Sequence, residues 1–126
     1  MKKILIIEDD TDILFIYGRT LKKAGYSVDT AADGAVGMEK VQKTQYDFIL
    51  LDIMLPKATG VEVLKDIRKA GSKAKKTPVY LLTNLAQDSI IQEMFKIGAQ
   101  GYIIKAQLTP NDVVKEIDTF FRKQTK

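Results

Sequence analysis

The sequence has no cysteine and no histidine in its 126 residues. Without cysteine there is no disulfide, no thiol nucleophile and no thiolate metal site. Without histidine there is no imidazole for general-base catalysis, for zinc ligation or for carrying a phosphoryl group, so a serine or cysteine triad of the usual kind is excluded. Long apolar runs are missing as well, since no stretch approaches the roughly 20 residues that span a bilayer. The basic start Met1-Lys2-Lys3 is followed by only four apolar residues before Glu8, Asp9 and Asp10. A secretory signal needs an apolar stretch of about 7–15. A cytoplasmic protein without membrane association is therefore expected, whose chemistry must run on carboxylates, hydroxyls, lysines and a hard cation.

What is present reads as a globular domain. The hydrophobic fraction is 45% and the charged fraction 29%, near the averages for folded chains. At this length one domain can bury roughly two thirds of the surface that its unfolded form exposes. The net charge of +4 is unevenly spread: residues 1–63 hold ten acidic and eight basic residues, residues 64–126 six acidic and twelve basic. Lys65, Arg68, Lys69, Lys73, Lys75 and Lys76 supply much of the excess. With no aromatic residues interleaved for base stacking, the cluster reads as a solvated loop, and direct nucleic-acid binding is not expected.

Short apolar runs alternate with segments of helical period. Ile4–Ile7, Phe48–Leu51 and Val79–Leu82 are apolar on both faces, as strands of a parallel sheet covered on both sides must be. Ser27–Ala31, more edge-like, and Tyr102–Ile104 complete five strands. Between them Ile13, Leu14, Tyr17 and Leu21; Gly60, Leu64 and Ile67; Ile91, Met94 and Phe95; and Val113, Ile117, Phe120 and Phe121 form helical stripes. Gly25, Gly71 and Gly98 fall where helices should stop, and Thr109-Pro110-Asn111-Asp112 is a helix start. The segment 34–43 is the weakest helix because of Gly34 and Gly37. Five β–α units with tight connections predict an α/β fold: a doubly wound, five-stranded parallel sheet between helical layers, a flavodoxin-like three-layer sandwich. There is no internal repeat or low-complexity tract, and one domain over residues 1–126 is expected.

In open parallel sheets ligands bind beyond the carboxyl ends of the strands. The residues there are Glu8, Asp9 and Asp10 after the first strand, Asp52 after the third, Thr83 and Asn84 after the fourth, and Lys105 after the fifth. Each alone has a plain structural reading: Asp10 or Thr11 caps the next helix, a threonine turns the chain, a lysine is solvated. Together, Glu8, Asp9 and Asp52 repel unless something positive joins them. Lys105 and a divalent cation are the two remedies, and all-oxygen donors favour Mg²⁺. A hydrated Mg²⁺ beside a lysine and a hydroxyl suits phosphoryl transfer, and the nucleophile left is a carboxylate. Asp52, at the end of the central strand, is the best placed.

Those residues resemble the response-regulator receiver domains of the chemotaxis-regulator (CheY-like) type. The matching motifs are Ile6-Ile7-Glu8-Asp9-Asp10, Leu50-Leu51-Asp52-Ile53-Met54-Leu55-Pro56 with Gly60, Leu81-Leu82-Thr83, and Gly98-Ala99-Gln100-Gly101-Tyr102-Ile103-Ile104-Lys105, in order and over essentially the whole chain. The resemblance implies a receiver domain in a two-component phosphorelay, expected as a single-domain regulator, with a receiver from a larger regulator carrying an output domain as the other reading. Asp52 would be the phosphoacceptor, served by a sensor histidine kinase or a histidine phosphotransfer protein. Asp9 would bind Mg²⁺ directly, Glu8 largely through water, Asp52 beside them, and Met54 through its backbone carbonyl. Thr83 and Lys105 would contact phosphoryl oxygens. Tyr102 would be the switch aromatic, following Thr83 and reshaping the face of the fourth helix, fifth strand and fifth helix, where a downstream protein target would bind and which also allows a homodimer. Such a protein is a stoichiometric phosphoacceptor that catalyses its own phosphorylation and dephosphorylation, not an enzyme.

Two departures stand out. The family usually has a proline, after a cis peptide bond, where Ala106 follows Lys105, and a smaller residue where Asn84 stands. Met54 and Leu85 occupy positions that tune dephosphorylation, and because both are apolar a fairly long-lived phosphorylated state is expected. The alternatives are a silent receiver that binds proteins without phosphorylation, and a Mg²⁺-dependent phosphatase of haloacid-dehalogenase type. The latter needs a second acid two residues after its nucleophile. Met54 fills that place after Asp52. Asp12 fits it after Asp10, but the chain is short for such an enzyme.

Overall fold

The computed structural model describes residues 1–69, 71–84, 88–105 and 107–124. Five strands and five helices alternate: β1 (Lys3–Ile7), α1 (Thr11–Lys23), β2 (Ser27–Ala31), α2 (Gly34–Lys43), β3 (Phe48–Asp52), α3 (Gly60–Ile67), β4 (Val79–Thr83), α4 (Asp88–Ile97), β5 (Gly101–Ile104) and α5 (Pro110–Gln124). All strands are parallel in the order β2-β1-β3-β4-β5. The expected α/β sandwich is the observed one, with β2 at an edge and β3 in the centre. Asp52 and Thr83 are the last residues of their strands, one place earlier than the apolar runs alone indicate.

Because side chains alternate across a strand, the apolar runs feed two cores. Leu5, Ile7, Ile49, Leu51, Val79 and Leu81 pack with Val41, Val63, Leu64, Ile67, Ile91 and Met94 from α2, α3 and α4. Ile4, Ile6, Phe48, Leu50 and Leu82 pack on the other face with Tyr17 and Leu21 of α1 and Val113 and Ile117 of α5. Each fully buried Leu or Ile contributes about 1.5–3 kcal/mol of transfer free energy, which makes the sheet a rigid floor for whatever stands on its edge.

The caps agree with the sequence. Asp10 caps α1, its Oδ1 accepting from the N–H groups of Asp12 and Ile13 at 2.9 and 3.2 Å. At α5 the Asp112 N–H donates to Thr109 Oγ1 and the Thr109 N–H to Asp112 Oδ2, both at 3.1 Å, a reciprocal capping box. Gly25 and Gly98 end α1 and α4 in the left-handed region, with φ of 102° and 123°, and Gly71 shares it.

The helix expected over 34–43 forms in full; Gly37 is there for close approach, since a Cβ would lie 2.7 Å from Ile7 Cδ1. Two sequence readings need correction. Phe95 is not core; at 39% exposed it lies on the outside of α4 against Tyr102, ring centroids 6.2 Å apart. The basic cluster is only partly a solvated surface. Lys65, Lys69, Lys73, Lys75 and Lys76 are exposed. Arg68 instead turns inward and donates to the carbonyls of Ala74, Lys75 and Gly98 and to Gln100 Oε1, at 3.0–3.3 Å. The Leu85 position and the Lys105–Ala106 peptide lie outside the described residues.

Candidate functional site

The carboxyl ends of β1, β3, β4 and β5 converge on one cavity of about 380 Å³, lined by Glu8, Asp9, Asp10, Asp52, Met54, Thr83, Asn84 and Lys105 over Ile13 and Ile53. The sequence places all the polar members there. Ile13 and Ile53 carry no chemical signal and are found only through the fold.

Asp52 is buried. Its Oδ1 accepts from the Met54 N–H at 3.1 Å, and its Oδ2 lies 3.3 Å from Lys105 Nζ. Gly60 makes this turn possible, because a Cβ there would sit 2.6 Å from the Asp52 carbonyl oxygen. Glu8 is fully buried; its Oε1 is in close contact with the Lys105 ammonium, and its Oε2 accepts from the Asp10 N–H at 3.2 Å. Thr83, also buried, ends β4, and its carbonyl accepts from the Lys105 N–H at 2.8 Å. The Met54 side chain is 71% exposed, so what it offers the cavity is backbone. Tyr102 stands apart, 45% exposed on β5 beside Phe95.

Charge dominates the cavity. Burial holds the Glu8 carboxyl above its ordinary pKa, reinforced by the neighbouring Asp52. Asp9 is raised too, first by the adjoining Glu8 carboxyl and then by burial. Burial works against the Lys105 ammonium, but Glu8 and Asp52 outweigh it and its pKa lies above the usual lysine value. One lysine among three carboxylates leaves the group acidic. Glu8, Asp9 and Asp52 each bring an oxygen within 4.8 Å of the others, a donor set that fits a hard divalent cation.

A comparison with protein families decides what this arrangement belongs to: the response regulator receiver domain profile matches residues 4–118. The chain belongs to that family. Receiver domains bind Mg²⁺ in their acidic site, and those of response regulators are phosphorylated by histidine kinases. Among its relatives is the transcriptional regulatory protein DltR of Streptococcus agalactiae, 41% identical over 103 residues, which are 82% of this receiver domain and 45% of that protein. This receiver domain thus spans less than half the length of that relative. Among solved structures, the Vibrio cholerae chemotaxis protein CheY4 is 35% identical with a TM-score of 0.87, covering 94% of this chain and 98% of its own. The receiver domain of a Pseudomonas aeruginosa sensor histidine kinase, crystallised with magnesium in its active-site cleft, shares the fold at 24% identity and a TM-score of 0.82, over 94% of this chain and 95% of its own. Among the described residues no helix is long and apolar enough to cross a membrane.

Proposed function

We propose that this receiver domain is a phosphoacceptor whose Asp52 takes a phosphoryl group from a phosphohistidine on a sensor kinase or phosphotransfer protein. The observation that carries the reading is a buried carboxylate at the end of the central strand, held by the Met54 N–H and Lys105 beside two further carboxylates.

Glu8, Asp9 and Asp52, with the Met54 carbonyl, would hold Mg²⁺, Glu8 largely through water. When bound, the ion neutralises charge on the carboxylate and phosphoryl oxygens. An Asp52 oxygen attacks phosphorus; the O–P bond forms as the P–N bond to the partner's imidazole breaks, and that electron pair returns to the nitrogen. Lys105 is already within reach of Asp52 and turns to a phosphoryl oxygen, while Thr83 hydrogen-bonds another. The new group brings nearly two negative charges and three acceptors, which draw Thr83 inward and with it Tyr102. The face of α4, β5 and α5, with Phe95 and Tyr102 exposed, then carries the output to a protein target or a second copy. The turnover is stoichiometric, and the place of work is the cytoplasm.

The test is intact-mass spectrometry after incubation with acetyl phosphate. One phosphoryl adduct is expected with Mg²⁺, none with EDTA, and none in Asp52→Asn. An adduct that persists in Asp52→Asn, or no adduct in the unmodified chain, would sink the assignment.

A further inference from the structure

The loop that leaves β3 carries Met54 past the acidic cavity and reaches α3 at Gly60. It is tied at both ends. The Ile53 N–H donates to the Leu82 carbonyl and the Gly60 N–H to the Ile53 carbonyl, both at 3.1 Å. At the tip the Ala58 N–H donates to the Pro56 carbonyl at 2.8 Å, across Lys57, whose φ is 68°. That is a three-residue γ-turn of the rare, strained kind with a positive central φ. Among the described residues Lys57 is the one non-glycine residue with a positive φ, at a place where glycine would sit without steric cost.

Two contacts from the start of α2 hold this tip. Asp33 Oδ2 lies 3.5 Å from Lys57 Nζ, while Asp33 Oδ1 accepts from the Val36 N–H at 2.9 Å, which fixes the carboxylate. Gly34 lets the tip come close: a Cβ there would stand 2.5 Å from the Ala58 carbonyl oxygen and 2.8 Å from Ala58 Cβ. A plain solvated lysine is the simpler account of Lys57, since its side chain is 70% exposed and such a pair alone contributes little. That account leaves open why a lysine stands at a strained position and why its neighbour packs onto a glycine. We propose that Asp33, Gly34 and Lys57 are positioning residues for metal binding. They hold the β3–α3 loop so that the Met54 peptide keeps its N–H on Asp52 and its carbonyl available to the cation. This rests on the reading of the cavity as a Mg²⁺ site. Neither Asp33 nor Lys57 lines the cavity; both act through the loop, as the outer partners of metal ligands do.

Mg²⁺ is titrated at low salt into the ¹⁵N-labelled chain, with affinity read from amide shifts, and the Met54 amide is compared in EDTA. Lys57→Met and Lys57→Gly both delete the cation, and charge acting through space would tighten Mg²⁺ equally in both. A held loop predicts a split. Lys57→Met should bind Mg²⁺ about threefold more weakly, within the reach of an exposed pair, and its Met54 amide should move upfield as the bond to Asp52 loosens. Lys57→Gly takes the turn without strain; it should bind Mg²⁺ no more weakly than the unmodified chain and leave the Met54 amide in place. Asp33→Asn retains the cap on α2 and should weaken binding by a similar factor to Lys57→Met, with no further loss in the double variant. Gly34→Ala should cost about tenfold in Mg²⁺ affinity. Urea denaturation reports whether it folds, and if it does not, the Lys57 and Asp33 variants decide. Equal Mg²⁺ affinity in Lys57→Met and Lys57→Gly, or a folded Gly34→Ala with its Met54 amide unmoved, would overturn the proposal. No Mg²⁺ binding by the unmodified chain would strike the metal reading itself, and the Met54 amide in EDTA would still decide whether α2 holds the loop.

Discussion

Lys105 and Arg68 are both cations drawn away from water, at opposite edges of the same sheet, and they are satisfied in opposite ways. Lys105 is held by two carboxylates, Glu8 and Asp52. Arg68 is held by neutral acceptors: three backbone carbonyls and the Gln100 amide oxygen. The electrostatic consequence differs in sign. Carboxylates lift the Lys105 pKa despite burial, whereas burial alone lowers that of Arg68. A cation facing anions can be redirected when the charge opposite it changes. One whose fork is filled by backbone joins segments and has nowhere else to go. Arg68 ties the end of α3 to the approaches of β4 and β5, so the edge remote from the cavity is riveted while the functional edge keeps a lysine that can change partner.

The contrast is broken most directly by removing each charge. Lys105→Met should slow acetyl phosphate-driven phosphorylation about a hundredfold, the usual cost of losing one donor to a developing anion. Arg68→Met should leave that rate within about twofold. It should instead lower unfolding stability by about 2 kcal/mol, because part-buried carbonyls lose a charged donor. Rate measurements and urea denaturation on both variants check the pair. If Arg68→Met slows phosphorylation as strongly as Lys105→Met while staying folded, the division of labour is wrong.

A smaller effect sharpens what holds Lys105. Glu8 is a buried carboxyl whose pKa is raised, first by burial. The sign follows: the folded form binds this proton more readily than the unfolded chain. The corresponding stability is fully present below the ordinary carboxyl value of 4.5 and is lost as pH rises through the raised one. Glu8→Gln should therefore be about 1 kcal/mol more stable than the unmodified chain at neutral pH in EDTA, and the advantage should shrink as pH falls toward 4.5. Added Mg²⁺ should reverse the order, stabilising the unmodified chain more. Thermal melts over pH in EDTA and in Mg²⁺ decide; a Glu8→Gln melt that tracks the unmodified chain at every pH would contradict the account.

The same contrast explains what could be read from the sequence. Carboxylates, a threonine and a lysine after successive apolar runs disclose their meeting place, because a parallel sheet carries every strand end to one edge. The reciprocal Thr109–Asp112 cap is likewise legible, being set by residues three apart. Arg68 was opaque for the opposite reason. Three of its four partners are peptide carbonyls, which every residue possesses, contributed by segments up to 30 positions away. Gly37 misleads in the same sense: helix propensity is local, whereas the need for a missing side chain comes from Ile7 across the packing interface. Phe95 fits the period of α4 but falls at the margin of its apolar stripe, where periodicity cannot say which side of the margin is covered. The hold of Asp33 and Gly34 on Lys57 and Ala58 is a property of two segments together and has no motif.

The finest cut is Arg68→Lys, which keeps the charge and discards the fork. A guanidinium offers five donors in one plane and here directs them to four acceptors on two segments. An ammonium at the end of a shorter, rotatable stem reaches one or two of them. If the rivet is geometric, the lysine variant should lose about 1 kcal/mol of stability, less than Arg68→Met but distinct from the unmodified chain. Its amide exchange should quicken at Lys75 and Gly98, where the carbonyl partners anchor, and not at Glu8 or Asp52. If instead charge is what matters at this position, Arg68→Lys should match the unmodified chain in both readouts. The two cations would then differ only in their neighbours and not in the kind of work that each side chain can do.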